Sequence, residues 1–193
     1  MSSWLQVTYP IFVCLWLIAH FITNERGSRR SRGYYSTKTF LDDEIPFVPN
    51  MAMFYFSGFL LGNMAYILLG STEYFPHIAT GYGLQFVVSI SVYAIYPCHI
   101  ERRENFRPNS FLGHLLAKYQ RISKPFNAFP SMHTSYCLFS ALAVWGCVSH
   151  TTGLVLIVWS VMVALSTLLT KQHYVVDVLA GAILATGLYL IIL

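Results

Sequence analysis

Charge is scarce in this sequence. Twelve Lys and Arg and eight Asp and Glu make up 10% of 193 residues, where soluble domains carry roughly 25%. So few charges cannot cover the surface of a water-soluble globule, and that class is excluded. Cysteine is sparse as well. Cys14, Cys98, Cys137 and Cys147 form no C-x-x-C pair and no Cys/His spacing suited to zinc. A disulfide scaffold is therefore excluded, and the four are read as small packing residues. With 12 glycines the chain lacks a collagen repeat, and aromatics at 16% rule out disorder. Strand-like alternation and internal repeats are absent too. What is abundant is apolar sequence, at 55% of residues, which leaves a polytopic membrane protein.

A bilayer core of about 30 Å needs roughly 17–25 apolar residues per helix. Six segments have that length: 7–23, 50–69, 78–96, 132–148, 152–169 and 175–193. The expected fold is an all-α integral membrane protein with six transmembrane helices in one bundle, a single domain over 1–193. The fourth and fifth helices share a three-residue connection, 149–151, and must form a tight antiparallel hairpin. No basic residue precedes the first segment and no small-residue cleavage site follows it, so it is expected to stay in the membrane. Polar loops run over 24–49 and 97–131, with a short one at 170–174. The first carries Arg26, Arg29, Arg30, Arg32 and Lys38 in a Gly/Ser/Arg-rich context, and reads as a solvated stretch or a contact with phospholipid headgroups.

An ionisable group inside a membrane span is costly and needs a reason. Asp177 is such a group; the other acidic residues, Glu25, Asp42, Asp43, Glu44, Glu73, Glu101 and Glu104, fall in loops or at span ends. His173 stands four residues earlier, which on a helix puts both side chains on one face. A carboxylate there can accept one ring N–H and leave the other nitrogen with its lone pair, making a nucleophile or a base, or merely a pair that locks packing. A second constellation, Phe129-Pro130-Ser131-Met132-His133-Thr134-Ser135, opens the fourth span. Ser131 can cap it, which places His133 in the first turn, where helix N-termini attract phosphate. The loop before it is basic, with Arg102, Arg103, Arg107, Lys118, Arg121 and Lys124, and Lys171 precedes His173. Guanidinium groups bind phosphate oxygens as a fork, although such runs also serve as solvated faces.

In order, Arg107-Pro108, Pro130-Ser131-Met132-His133, and Ser166 with His173 and Asp177 resemble the three-part signature of the type 2 phosphatidic acid phosphatase superfamily, K-x6-R-P, P-S-G-H and S-R-x5-H-x3-D. The resemblance covers a catalytic core of about 96–181. It implies a membrane phosphoester enzyme working through a phosphohistidine, without metal or cofactor. By resemblance His173 is the nucleophile, Asp177 its orienting partner, His133 the acid for the leaving group and Arg107 a phosphate ligand, with Ser131 at the phosphate-binding helix start. Ile100 stands where the family has Lys, Thr167 where it has Arg, and Met132 replaces Gly; Lys171, Arg102 or Arg103 could supply the missing cations by reach. The run His173-Tyr174-Val175-Val176-Asp177 after Thr170, and Leu41-Asp42-Asp43-Glu44-Ile45-Pro46-Phe47, resemble the branch holding inositol phosphorylceramide and sphingomyelin synthases, which move a phospho-headgroup between lipids.

The expected function is hydrolysis of a lipid phosphate, with transfer to a lipid alcohol as the alternative and a non-catalytic transporter or scaffold as a third reading. The expected partners are a lipid phosphate or phospholipid substrate and the bilayer, with no nucleic acid. All twelve Lys and Arg lie in the first, third and fifth loops, on one side by parity. The positive-inside rule puts that side in the cytoplasm. The resemblance puts the site outside the cytoplasm, and we take the latter because phosphate binding can recruit the same cations.

Overall fold

The computed structural model describes residues 3–29, 33–103 and 105–193, so Arg30, Arg32 and Glu104, assigned to loops above, lie outside the described residues. Among the described residues there are helices and no strand beyond an isolated bridge between Tyr35 and Cys98. All six expected segments are helical: α1 (Ser3–Ser28), α3 (Ala52–Gly62) with α4 (Met64–Leu69), α5 (Phe75–Ile95), α7 (Met132–Cys147), α8 (His150–Leu169) and α9 (Val175–Ile192). A short α2 (Phe40–Glu44) lies in the first loop, and a 3-10 turn, Pro49–Met51, leads into α3. The second span is broken after Gly62 because Ala65 donates its N–H to the Ser140 hydroxyl of α7 at 2.8 Å rather than back along its own helix. Ser149 caps α8 by accepting from Thr152 N, which closes the expected hairpin.

α7 is the centre of the bundle, packed against α3, α4, α5, α8 and α9. Its small residues Ser135, Ser140, Ala141 and Ala143 are buried and let neighbouring backbones come close. On the facing helix, a Cβ at Gly81 would lie 2.1 Å from the Phe139 ring, so only glycine fits there. The core gathers Leu61, Leu69, Ile78, Phe139, Val144 and Val163, while Phe59, Ile183 and Ile191 face outward, as a bilayer solvent requires.

One expectation is met in part and another needs refinement. Among the described residues four helices are long and apolar enough to cross a membrane, Pro49–Leu69, Phe75–Ile95, His150–Leu169 and Val175–Ile192. α7, at 16 residues, reaches roughly 24 Å, short of a bilayer core, because Ser131 caps one end and the turn into α8 closes the other. The loop 97–131 is not irregular throughout. It contains an amphipathic α6 (Phe111–Ile122), capped by Ser110 and burying Gly113, Leu116 and Gln120 at helical spacing.

The described part of the first loop after residue 32 is largely exposed but ordered. Residues 33–48 form a strap across one end of the bundle. Tyr35 N donates to Pro97 O (3.0 Å), His99 N to Tyr35 O (2.9 Å) and Val48 N to Leu169 O (2.8 Å). Asp42, nearly fully buried, takes the N–H of Thr39 on one oxygen (2.7 Å) and that of Val175 on the other (2.9 Å), capping α2 and α9 together. The exposed Lys38 bridges Asp43 (2.8 Å) and Glu101 (2.9 Å), and these bonds hold its ammonium above the ordinary lysine range. The first, third and fifth loops thus meet at one end of the molecule.

Candidate active site

His173 sits between α8 and α9. Residues 167–172 close α8 in a Schellman motif: Gln172 N donates to Thr167 O (2.8 Å) and Lys171 N to Leu168 O (3.1 Å). Lys171 occupies the left-handed position that usually takes glycine, at φ 54°. His173 N also reaches Thr167 O (3.2 Å), which fixes where the ring departs.

The ring is held differently from expectation. His173 Nδ1 donates to the carbonyl of Ala128 at 2.9 Å, while Asp177 Oδ2 stands 3.8 Å away. Spacing of i, i+4 aligns two side chains only within one helix, whereas Tyr174 is extended and α9 begins only at Val175. The carboxylate turns back to cap that helix, accepting Tyr174 N–H on Oδ2 (2.8 Å) and the Thr37 hydroxyl on Oδ1 (2.6 Å). A carbonyl can only accept, so Nδ1 carries the proton and Nε2 keeps its lone pair. Asp177 remains close enough to stabilise a positive charge on the ring.

His133 comes from the first turn of α7, whose cap, Ser131, accepts from Thr134 N. Ser131 N is bonded to Asp177 O (2.9 Å), and a Cβ at Gly181 would lie 2.5 Å from Ser131 O. This close approach of α9 to the start of α7 brings the rings of His133 and His173 to 5.7 Å between centroids. His133 stacks on Tyr55 (4.4 Å), whose hydroxyl donates to that of Tyr119 (3.0 Å).

Both histidines line a cavity of about 800 Å³ between α1, α3, α5, α7 and the third loop. Its walls are mainly aromatic and aliphatic. Arg102 and Lys124 also line it, Lys124 being paired with Glu25 at 2.8 Å. Arg102 donates from Nη1 to Ser123 O (2.6 Å) and lies 6.0 Å from the Tyr119 ring centre.

The structure does not bring the other expected phosphate ligands to this cavity. Arg107 is exposed and Arg103 lies over the Phe47 ring, 5.9 Å from its centre. Ser131 is fully buried, with its hydroxyl spent on the cap. Lys171 donates to Asp42 O (2.8 Å) and Ile45 O (2.6 Å), answering the free carbonyls at the end of α2. Burial pushes its ammonium below the ordinary lysine range, against the pull of Asp42. Ile100 packs with Cys98, Ala128 and Tyr174, and the Thr167 hydroxyl donates to Ala164 O (2.7 Å), so neither position faces the cavity as a cation would.

Sequence reasoning missed several contributors. Ala128 acts through its carbonyl and has no side-chain signal. Thr37 also had none, although Thr39 with Asp42 three residues on is a capping-box pattern that marked the strap as ordered. Trp16, His20 and Asn24 of α1 line the cavity; the first two fall in a segment read only as a membrane span, and Asn24 at the start of the loop expected after it. Among the described residues no cluster of three or more His, Cys, Asp or Glu could hold a metal ion.

An apolar helical bundle with four helices fit to cross a bilayer, and a largely apolar cavity lined by a histidine pair and an arginine, define the multi-pass membrane class. The chain belongs to the PAP2 superfamily, whose family model matches residues 35–191, from the strap to the end of α9. Members of this superfamily are generally phosphatases or phosphotransferases. Comparison with curated proteins and with solved structures gives no match.

Proposed function

We propose that the protein is a multi-pass membrane phosphohydrolase that cleaves lipid phosphates through a phosphohistidine on His173. The observation that carries this reading is the Nδ1 bond to Ala128, which leaves Nε2 as a lone pair in the cavity beside His133. In the first step Nε2 bonds to phosphorus, the P–O bond to the lipid breaks, and His133 gives its proton to the departing alkoxide. In the second, His133 takes a proton from water as its oxygen bonds to phosphorus, the N–P bond breaks, and inorganic phosphate leaves. Asp177 stabilises the imidazolium formed on attack, and Arg102 takes the phosphate contact assigned to Arg107 from the sequence.

Transfer to a lipid alcohol shares the first step. In its favour, His173 is 6% exposed and the cavity walls are apolar, which suits an alcohol from the bilayer as acceptor. The resemblance of 41–47 to the headgroup-synthase branch points the same way. A proton relay or scaffold would give no reason for Arg102 in the same cavity as the histidine pair. The site is assigned to the extracytoplasmic side; a cysteine placed at the exposed Ser36 should react with an impermeant reagent in intact cells, and protection there puts the site in the cytoplasm.

The test of function is phosphate release by the purified full chain from mixed lipid phosphates. Release should persist in chelator, be inhibited by vanadate and vanish in His173→Ala. No release, or release by His173→Ala equal to wild type, overturns the reading, and loss in chelator restored by added metal overturns its metal-free form.

A further inference from the structure

Unpaired polar atoms in the interior are concentrated on residues that line the cavity. Among the described residues, nine buried side-chain polar atoms have no hydrogen-bond partner, and six of them, on Trp16, His20, Asn24, Arg102, Asn127 and Gln172, belong to residues lining this cavity. Such atoms are costly to bury unless something answers them. Two of the three side-chain amides are oriented by their surroundings. Asn127 donates its amino group to His20 O (2.8 Å) and Thr23 Oγ1 (2.9 Å), and Gln172 donates to Thr170 O (3.1 Å). Their carbonyl oxygens are therefore the unpaired ends, on side chains only 4% and 3% exposed. Asn24, at 6%, adds a third oxygen from α1. The chain places this group next to the chemistry, since Asn127 precedes the Ala128 that holds His173, and Gln172 precedes His173 itself.

Three acceptors ask for hydrogen-bond donors, and Trp16 Nε1 and Arg102 Nε, also unpaired, ask for acceptors. A hydroxyl supplies both. An ammonium would serve the oxygens alone and would meet Arg102 and Lys124 in the same cavity, where the lining carboxylate, Glu25, is already bonded to Lys124 (2.8 Å) and Arg29 (2.7 Å). We propose that Asn24, Asn127 and Gln172, with Trp16, form a specificity subsite for neutral hydroxyl groups carried by the substrate close to its phosphate. The inference rests on the proposed function for its place beside the reacting phosphate. The α1 residues of this group lie outside residues 35–191, which the family model matches.

The experiment compares four probes of equal chain length with the full chain in mixed micelles: hexadecyl phosphate, its 2-hydroxy and 2,3-dihydroxy forms, and its 2-amino form. The dihydroxy probe should exceed the plain one in kcat/KM by about tenfold for each hydroxyl that meets an oxygen of the subsite. Asn24→Leu and Gln172→Leu should each lower that ratio about tenfold, and Trp16→Phe, which keeps the ring stacked on His20, should lower it less. A ratio near one in the wild type, a ratio unchanged in these variants, or preference for the amino probe overturns the subsite. If no probe releases phosphate, the proposed function fails while binding still judges the subsite. Hexadecane-1,2,3-triol should then raise the thermal midpoint of the wild type more than hexadecanol does, and the variants should lose the difference; equal shifts in the wild type overturn it.

Discussion

Asp177→Asn separates the charge of this side chain from its shape. The carboxylate lies 3.8 Å from His173 Nδ1, both groups being almost fully buried. At an effective dielectric constant of about 20, a unit charge at that distance stabilises an imidazolium by about 4 kcal/mol. Positive charge develops on the ring only as Nε2 bonds to phosphorus, so the loss falls on the transition state and not on substrate binding. At one decade of rate per about 1.36 kcal/mol, kcat should drop roughly 10³-fold with little change in KM. The fold should survive, because the asparagine oxygen can still accept Tyr174 N–H while the Thr37 hydroxyl rotates to accept from the amide. Thr37→Val is the control, since it removes a bond to Asp177 but leaves the charge. It should cost about 1 kcal/mol of stability and less than about tenfold in kcat. Single-turnover phosphate release, with thermal unfolding of each variant, reads both quantities. An Asp177→Asn protein that unfolds normally and keeps kcat within about tenfold of wild type would refute the electrostatic role and leave Asp177 as a helix cap.

Arg102→Ala should depress kcat by about 10²–10³-fold through loss of a charge facing the phosphate, whereas Arg107→Ala, at an exposed position, should change it little. Lys171→Met should act on stability instead, by about 2 kcal/mol, because its ammonium holds two carbonyls of the strap. Steady-state kinetics with unfolding curves decide, and a reversed order of Arg102 and Arg107 refutes the assignment. His133→Ala should lose far more kcat/KM toward a lipid phosphate than toward nitrophenyl phosphate, whose phenolate leaves without a proton. Equal losses with the two leaving groups would remove the acid role from His133.

Sequence alone determined the class of molecule and singled out the two histidines that the fold brings to one cavity. Scarce charge and long apolar runs can only be reconciled with a lipid solvent, and both properties are additive along the chain. His173 and His133 were legible because each stands in a local pattern, one beside an intramembrane carboxylate and one just behind a capping serine. Tertiary structure decided how these groups are held. The partner of His173 Nδ1 is a backbone carbonyl 45 residues away, and any residue type supplies a carbonyl, so no sequence pattern marks it. The same holds for the choice among cations. Arg102, Arg107 and Lys171 are equal as charges in a sequence, and only the strap, by taking Lys171 into its own carbonyls, and the packing of the third loop, by turning Arg102 inward, set them apart. The length of α7 was settled in the same way, since a short helix is tolerable at the centre of a bundle where neighbouring helices, and not lipid, surround it.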